Sequence, residues 1–408
     1  CAFALSIGSA TAAEIFSSGG GNDGKWSTAA NWVGGVAPQN GDAVVLTDDG
    51  IMPTNVDIVD LDLMYLKFSN SVESTLIGNP LKVDYISNRL TNNFIENTIV
   101  MTSSKAWDLK YPFYLQLNGV LGATDDAIAF TANNSGTILL RNTNTWAGGL
   151  KANQCTVNIV SDANLGVVPP TNVPEFIDRG AVMVFETTGG VNRLVVHPNR
   201  GIRFTNNKAM TLRKDVKVIL NQNITEDAGG RAMTFTGSNG GVLELGGSNT
   251  FSGDVGNISG TWFVRVKHPW ALGRGTNDAV RLSTFGTYDL MGHNLETRKI
   301  TGANSGGWPS VGCIMNSVPE STSVISNGFY NSSSFGGWFG RGDFVVLGRL
   351  EFNSTGFTQP LKAGPGRLVL KNQVCLTNRI NMVNGTLVWD YSDAIQDKLP
   401  DGQTLRLE

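Results

Sequence analysis

Charge is scarce in this sequence. Asp, Glu, Lys and Arg make up 16% of its 408 residues, against about 25% in an ordinary soluble domain. With a formal net charge of −3, the chain carries no electrostatic footprint for nucleic acid. Histidine occurs three times and cysteine four times. No Cys-x-x-Cys pair and no His at ligand spacing is present, which speaks against a zinc site. No apolar run is long enough to span a bilayer. Helical periodicity is almost absent. The 49 glycines have no period of three, which excludes collagen. A hydrophobic fraction of 41% separates the chain from segments too polar to bury a core.

What is present is a series of short apolar runs broken by Gly, Asn, Ser or Asp. They include Ala43–Leu46, Thr98–Met101, Phe113–Leu117, Thr137–Leu140, Val182–Phe185, Gly241–Leu245, Phe344–Leu347 and Arg367–Leu370. Each has strand length and is followed by turn residues. Many short strands without intervening helices predict an all-β sandwich, barrel, propeller or solenoid.

Internal similarity selects among these. Gly136-Thr-Ile-Leu-Leu-Arg-Asn-Thr-Asn144-Thr-Trp146 runs on to Ala163-Asn-Leu-Gly166, and Gly241-Val-Leu-Glu-Leu-Gly-Gly-Ser-Asn249-Thr-Phe251-Ser-Gly253 runs on to Ala271-Leu-Gly273. A more worn copy begins at Gly366-Arg-Leu-Val-Leu-Lys-Asn372. Gly136, Asn144, Gly241, Asn249, Gly253 and Gly366 are the anchors of this scheme. Leu140, Leu245 and Leu370 are separated by near multiples of roughly 21 residues, a length suited to one coil of a parallel β-helix. Such coils stack at about 4.8 Å through in-register strands. Glycine supplies positive φ at the bends, Asn bonds neighbouring backbone, and like charges stacked along a ladder would repel. The expected fold is an elongated solenoid of ~18 coils.

The ends carry processing signals. The opening Cys1-Ala-Phe-Ala-Leu-Ser-Ile-Gly-Ser with Ala10-Thr-Ala12 reads as the back half of a secretory leader. A lipid-anchored Cys1 is the weaker reading, because the apolar run follows the cysteine. Both ends of the sequence are expected to be cut. The expected organisation is a leader remnant at 1–13, an N-terminal cap at 14–50 and a solenoid at 51–408.

Gly24-Lys-Trp26-Ser-Thr-Ala-Ala-Asn31-Trp32, with Gly34-Gly-Val-Ala-Pro38 and Gly41-Asp42, resembles the opening of secreted bacterial proteins with autotransporter-associated β-strand repeats. The unit at 243–253 matches that repeat, 139–149 matches it loosely, and Gly286-Thr-Tyr-Asp-Leu-Met-Gly-His-Asn294 looks like another phrase of the same family. The resemblance implies an all-β, right-handed parallel β-helix passenger, displayed on the bacterial surface or released from it. The chain departs from that family in keeping few repeats well and in lacking the alternating strands of ~10 residues that build an outer-membrane barrel.

Chemistry-bearing residues are sparse. His197, His268 and His293 lie in no nucleophile motif and read as turn or surface residues. Asp60 and Asp62 are the best carboxylate pair, expected on one side of one strand, whereas Asp48-Asp49 and Asp125-Asp126 look like turns. Without the leader, Cys155, Cys313 and Cys375 remain. They read as buried small residues, and the sequence leaves open a disulfide between two of them. The nine tryptophans could stack on sugar rings, though such residues more often cover a core. Arg341-Gly342-Asp343 is the one binding candidate, weighed against a turn between strands. No cofactor or metal is expected. The functional expectation is an exported surface solenoid with a structural or adhesive role. It would associate with itself through solenoid ends, or with surface glycans. A polysaccharide-acting enzyme and a carbohydrate- or host-binding module are the alternatives.

Overall fold

The computed structural model describes residues 12–171, 173–179, 182–186, 193–206, 208–213, 215–237, 241–259, 262–275, 279–282, 286–302, 314–331, 337–352, 362–376, 380–392 and 405–407. The leader remnant therefore lies almost wholly outside the described residues. The chain is a parallel β-solenoid. It divides into two compact units, Cys1–Val157 with Ala163–Val167, and Asn158–Asp162 with Val168–Glu408.

In the first unit, one sheet stacks Glu14–Phe16, Ala43–Leu46, Asp62–Phe68 and Leu81–Asn88 as parallel neighbours. A second stacks Asn55–Val56, Ser74–Gly78, Asn93–Ile95, Tyr114–Leu117 and Thr137–Leu140. Register puts like on like. Val44, Leu66 and Ile86 form one column and Leu76, Ile95, Leu117 and Leu140 another, every member buried. Alternation along each strand makes these columns, because successive side chains point to opposite faces.

The aromatic motif of the 14–50 segment fastens to the residues that follow it, through Trp26 N–H to Asn55 O and a bridge from Lys25 to Asn55. Trp26 and Trp32 meet edge to face at 5.4 Å, both buried. Their indole N–H groups donate to Pro53 O and Trp26 O. Buried Asn31 accepts Gly21 N–H and donates to Asp23 and Lys25 O. The motif that carries the family resemblance is thus a local polar knot around two indoles.

The second unit repeats the logic with a different column. Val218, Leu243, Val264, Tyr288, Ile314 and Trp338 are in register through successive parallel strands. Two bridges extend this column from Trp338 to Lys362 and on to Met382.

A constant coil of roughly 21 residues is not observed. In the first unit Tyr65 pairs with Tyr85, 20 residues on, but Trp107 pairs with Ala132, 25 on. In the second the steps run from 19, Arg367 to Thr386, to 29, Ile300 to Phe329. Strands are held to register by the ladder, whereas the bends between them take up insertions at little cost.

Candidate functional site at the Arg341 to Asp343 turn

Arg341, Gly342 and Asp343 form the step from the strand Trp338–Gly340 into the strand Asp343–Val346. The N–H groups of Arg341 and Gly342 both donate to Asn316 O in the preceding coil. Gly342 is buried, and a Cβ there would stand 2.3 Å from Asn316 Nδ2. The Asp343 carboxylate points along the stack. Its Oδ1 accepts Arg367 N–H at 2.7 Å, and its Oδ2 accepts Arg367 Nε at 2.8 Å and pairs with Nη2 at 2.7 Å. Burial works to raise the Asp343 pKa, but the N–H and guanidinium of Arg367 outweigh it and hold the group below the usual carboxylate range. The tripeptide therefore lies in an inter-coil turn, with Arg341 exposed and the Asp343 carboxylate engaged by Arg367.

Beside this turn lies a feature that sequence reasoning missed. Lys362 is 1% exposed, taking the next rung of an apolar column. Its Nζ donates to Ala363 O at 3.0 Å, Gly364 O at 2.5 Å and Asn384 O at 3.4 Å. Room for the ammonium comes from Gly385, where a Cβ would lie 2.6 Å from Nζ. Burial lowers the Lys362 pKa to about 8 from 10.5, against an opposing pull from Asp343. The unfolded chain then holds this proton to higher pH than the folded one. Stability should rise as pH climbs from about 8 to 10.5, by about 3 kcal/mol for this group. Urea unfolding across that range should show the rise in wild type and its loss in Lys362→Met. A wild type whose profile matches the Met variant would refute it.

The repeat anchors have a shared geometry. Asn144 Oδ1 accepts Leu121 N–H at 2.8 Å and its Nδ2 donates to Asn164 O at 2.7 Å. Asn249 does the same with Ile224 N–H at 2.8 Å and Ala271 O at 2.6 Å. Each asparagine joins the coil before it to the coil after it. Two residues on, Trp146 and Phe251 are buried beneath Gly166 and Gly273, which hold φ of +84° and +82°. A Cβ would stand 2.4 Å from Trp146 O and 2.3 Å from Phe251 O. Left-handed φ and this close approach together require glycine. The third copy keeps only part of the scheme. Asn372 bonds Leu347 O as Asn142 bonds Asn118 O, but Val374 stands where the bridging asparagine would be.

Arg298 is a second buried cation that the sequence did not announce. It donates to Gly253 O at 2.7 Å and Phe251 O at 3.1 Å. Its path runs past Gly273 and Gly275, where a Cβ would lie 2.8 and 3.1 Å from Nη2. In sequence it sits in Glu-Thr-Arg-Lys, which has the composition of a solvated surface. Only the stacking of glycines from another coil makes a channel for it.

The remaining candidates are distributed through the fold. Asp60 and Asp62 do not share a strand face. Asp60 sits in a turn with φ of 53°, and Asp62 begins the strand Asp62–Phe68. Asp48 has its pKa lowered by the Ser71 side chain and then by the Ser71 N–H, which both its oxygens accept, and Asp125 accepts Ala127 N–H within its own turn. His197 and His268 each accept the N–H two residues on through Nδ1. His293 has its pKa lowered by burial, then by nearby His268 and Lys267. Trp26, Trp32, Trp107, Trp146 and Trp338 are core residues, at most 2% exposed, which removes them as sugar platforms. Cys155 is buried with its thiol directed at Ala132 O. Cys313 lies outside the described residues, and the main chain of Cys375 pairs with Glu351.

Among the described residues, no cluster of three His, Cys, Asp or Glu side chains could hold a metal, and no helix is long and apolar enough to cross a membrane. No family model, no curated protein and no solved structure matches the chain.

Proposed function

We propose that this protein is an exported cell-surface β-solenoid with a structural or adhesive role, which associates with further copies of itself through its strand ladders. The observation that carries this reading is the state of the strand Glu14–Phe16. It pairs in parallel with Ala43–Leu46 on one side. On its other side, Phe16 O accepts Val33 N–H and Ser17 bridges to Trp32. Apolar side chains are exposed there, Phe16 at 40%, Val33 at 58% and Val36 at 55%. A partly covered ladder edge flanked by apolar groups is a template for another strand. The bonding of Asn144, Asn249 and Asp343 supports the same reading, since polar groups are used to fasten coils to one another.

Sedimentation and electron microscopy over a concentration series test the association. The wild type should form assemblies that grow with concentration, and Phe16→Lys with Val33→Lys should suppress them. A wild type that stays monomeric at high concentration would count against the proposal. Fractionation of the producing cell tests the export component.

A further inference from the structure

Five Asn-Gly dipeptides occur in the sequence. Glycine leaves its own nitrogen unhindered, so these are the positions where a backbone nitrogen can most readily attack the preceding side-chain amide. The fold treats them very differently. Asn40 is tied by Oδ1 to Asp62 N–H at 2.9 Å, and Gly41 N–H donates to Asp62 O. Asn118 is held at both ends, by Glu96 at 2.6 Å and Gln116 at 2.8 Å, and Gly119 N–H donates to Ile95 O. Asn327 is tethered through Nδ2 to Thr297 O, and buried Gly328 has Gly348 packed against its nitrogen. Asn239-Gly240 lies outside the described residues.

Asn384-Gly385 is arranged for reaction. Asn384 is exposed, and the Gly385 N–H donates to the Oδ1 of Asn384 itself at 2.6 Å instead of to another coil. The carboxamide is thus already held against the nitrogen that would attack it, and rotation about χ1 sets how near Cγ comes, the proximity that intramolecular reactions exploit. Gly385 holds φ of 88°. The carbonyl of the same peptide unit, Asn384 O, lies 3.4 Å from Lys362 Nζ.

We propose that Asn384 is a self-modification site, converted by its own fold to aspartate and isoaspartate. Gly385 N–H loses its proton to solvent hydroxide, and its nitrogen forms a bond to Asn384 Cγ. The carboxamide C–N bond breaks, ammonia leaves with a proton from water, and a succinimide results. Water then adds to either ring carbonyl. Opening at Cγ yields aspartate, and opening at the main-chain carbonyl yields isoaspartate, whose backbone is longer by one methylene. Lys362 acts as a positioning residue, its ammonium facing the peptide unit that becomes anionic. The product carboxylate arises on the residue whose main-chain carbonyl faces the buried Lys362 ammonium.

Peptide mapping of the wild-type protein, aged near neutral pH where Lys362 keeps its proton, with and without urea, tests this. In the folded protein, conversion at Asn384 should run at least about tenfold faster than at Asn40, Asn118 and Asn327, a barrier difference of about 1.4 kcal/mol or more. In urea the four positions should converge to within a few fold. Equal rates at all four in the folded protein would overturn the proposal. Lys362→Met should slow conversion at Asn384 when folded and leave the rate in urea unchanged, with Lys362→Arg restoring it. Faster conversion in folded Lys362→Met would show that the lysine only stiffens the coil, and would overturn its assigned part.

Discussion

Asn249→Leu should lower the unfolding free energy by about 3–5 kcal/mol. The side chain is fully buried and satisfies one main-chain N–H, of Ile224, and one main-chain carbonyl, of Ala271. Leucine fills similar space but leaves both groups buried without that partner, at about 1–3 kcal/mol each. Neither group is able to turn to water, because it belongs to the coil above or below. Asn144→Leu should have a comparable effect through Leu121 and Asn164. Thr250→Ala, at an exposed neighbour, is the control and should stay within about 0.5 kcal/mol. Equilibrium urea unfolding measures all three. A loss under about 1 kcal/mol for Asn249→Leu would mean that the bridging asparagine is not what holds successive coils in place.

The second large effect separates two glycines that look alike in sequence. Gly241 and Gly366 each open a copy of the repeated phrase. A Cβ at Gly366 would stand 2.0 Å from Gly342 O, a backbone atom of the adjacent coil. At Gly241 the nearest atom would be the Leu212 side-chain Cβ at 3.4 Å, a contact that a small shift absorbs. Gly366→Ala must force two hydrogen-bonded coils apart and should cost about 3 kcal/mol or more, at or above the usual range for overpacking. Gly241→Ala should cost less than about 1 kcal/mol. Thermal or urea unfolding of the two variants decides the matter, and similar losses for both would refute the steric argument. Gly136 belongs with Gly366, since a Cβ there would lie 2.5 Å from Leu109 C.

These two cases show where sequence reading succeeds and where it stops. Asn144 and Asn249 were legible because each sits in a phrase, Asn-Thr-aromatic-x-Gly, whose residue types suit a bend. The phrase recurs because the same three-coil bonding recurs. The parallel solenoid was legible for the same reason: Val, Ile and Leu at alternate positions, with Gly and Asn between, satisfy a stacked ladder at every rung. Coil length was not legible. A period inferred from intervals of about five coils averages over bends of unequal length, and here the steps between paired strands run from 18 residues, Leu81 to Ile99, to 29, Ile300 to Phe329. Asp60 and Asp62 were misplaced on one strand face because a positive φ keeps Asp60 in the turn, and the strand begins only at Asp62.

Amino-acid order by itself determined the class of structure, since scarce charge, many glycines and short apolar runs leave a stack of strands as the way to bury this much apolar surface. It also determined which asparagines and aromatics recur at the bends. Tertiary structure alone decided what each position faces. Nothing along the chain singles out Lys362 and Arg298, which are buried cations because glycines from other coils leave space beside them. Asp343 reads as half of an adhesive tripeptide and becomes the partner of Arg367, 24 residues away. The reason is common to all three: in a solenoid the nearest neighbours of a side chain lie one coil away, and register between coils is set by the ladder and not by local sequence.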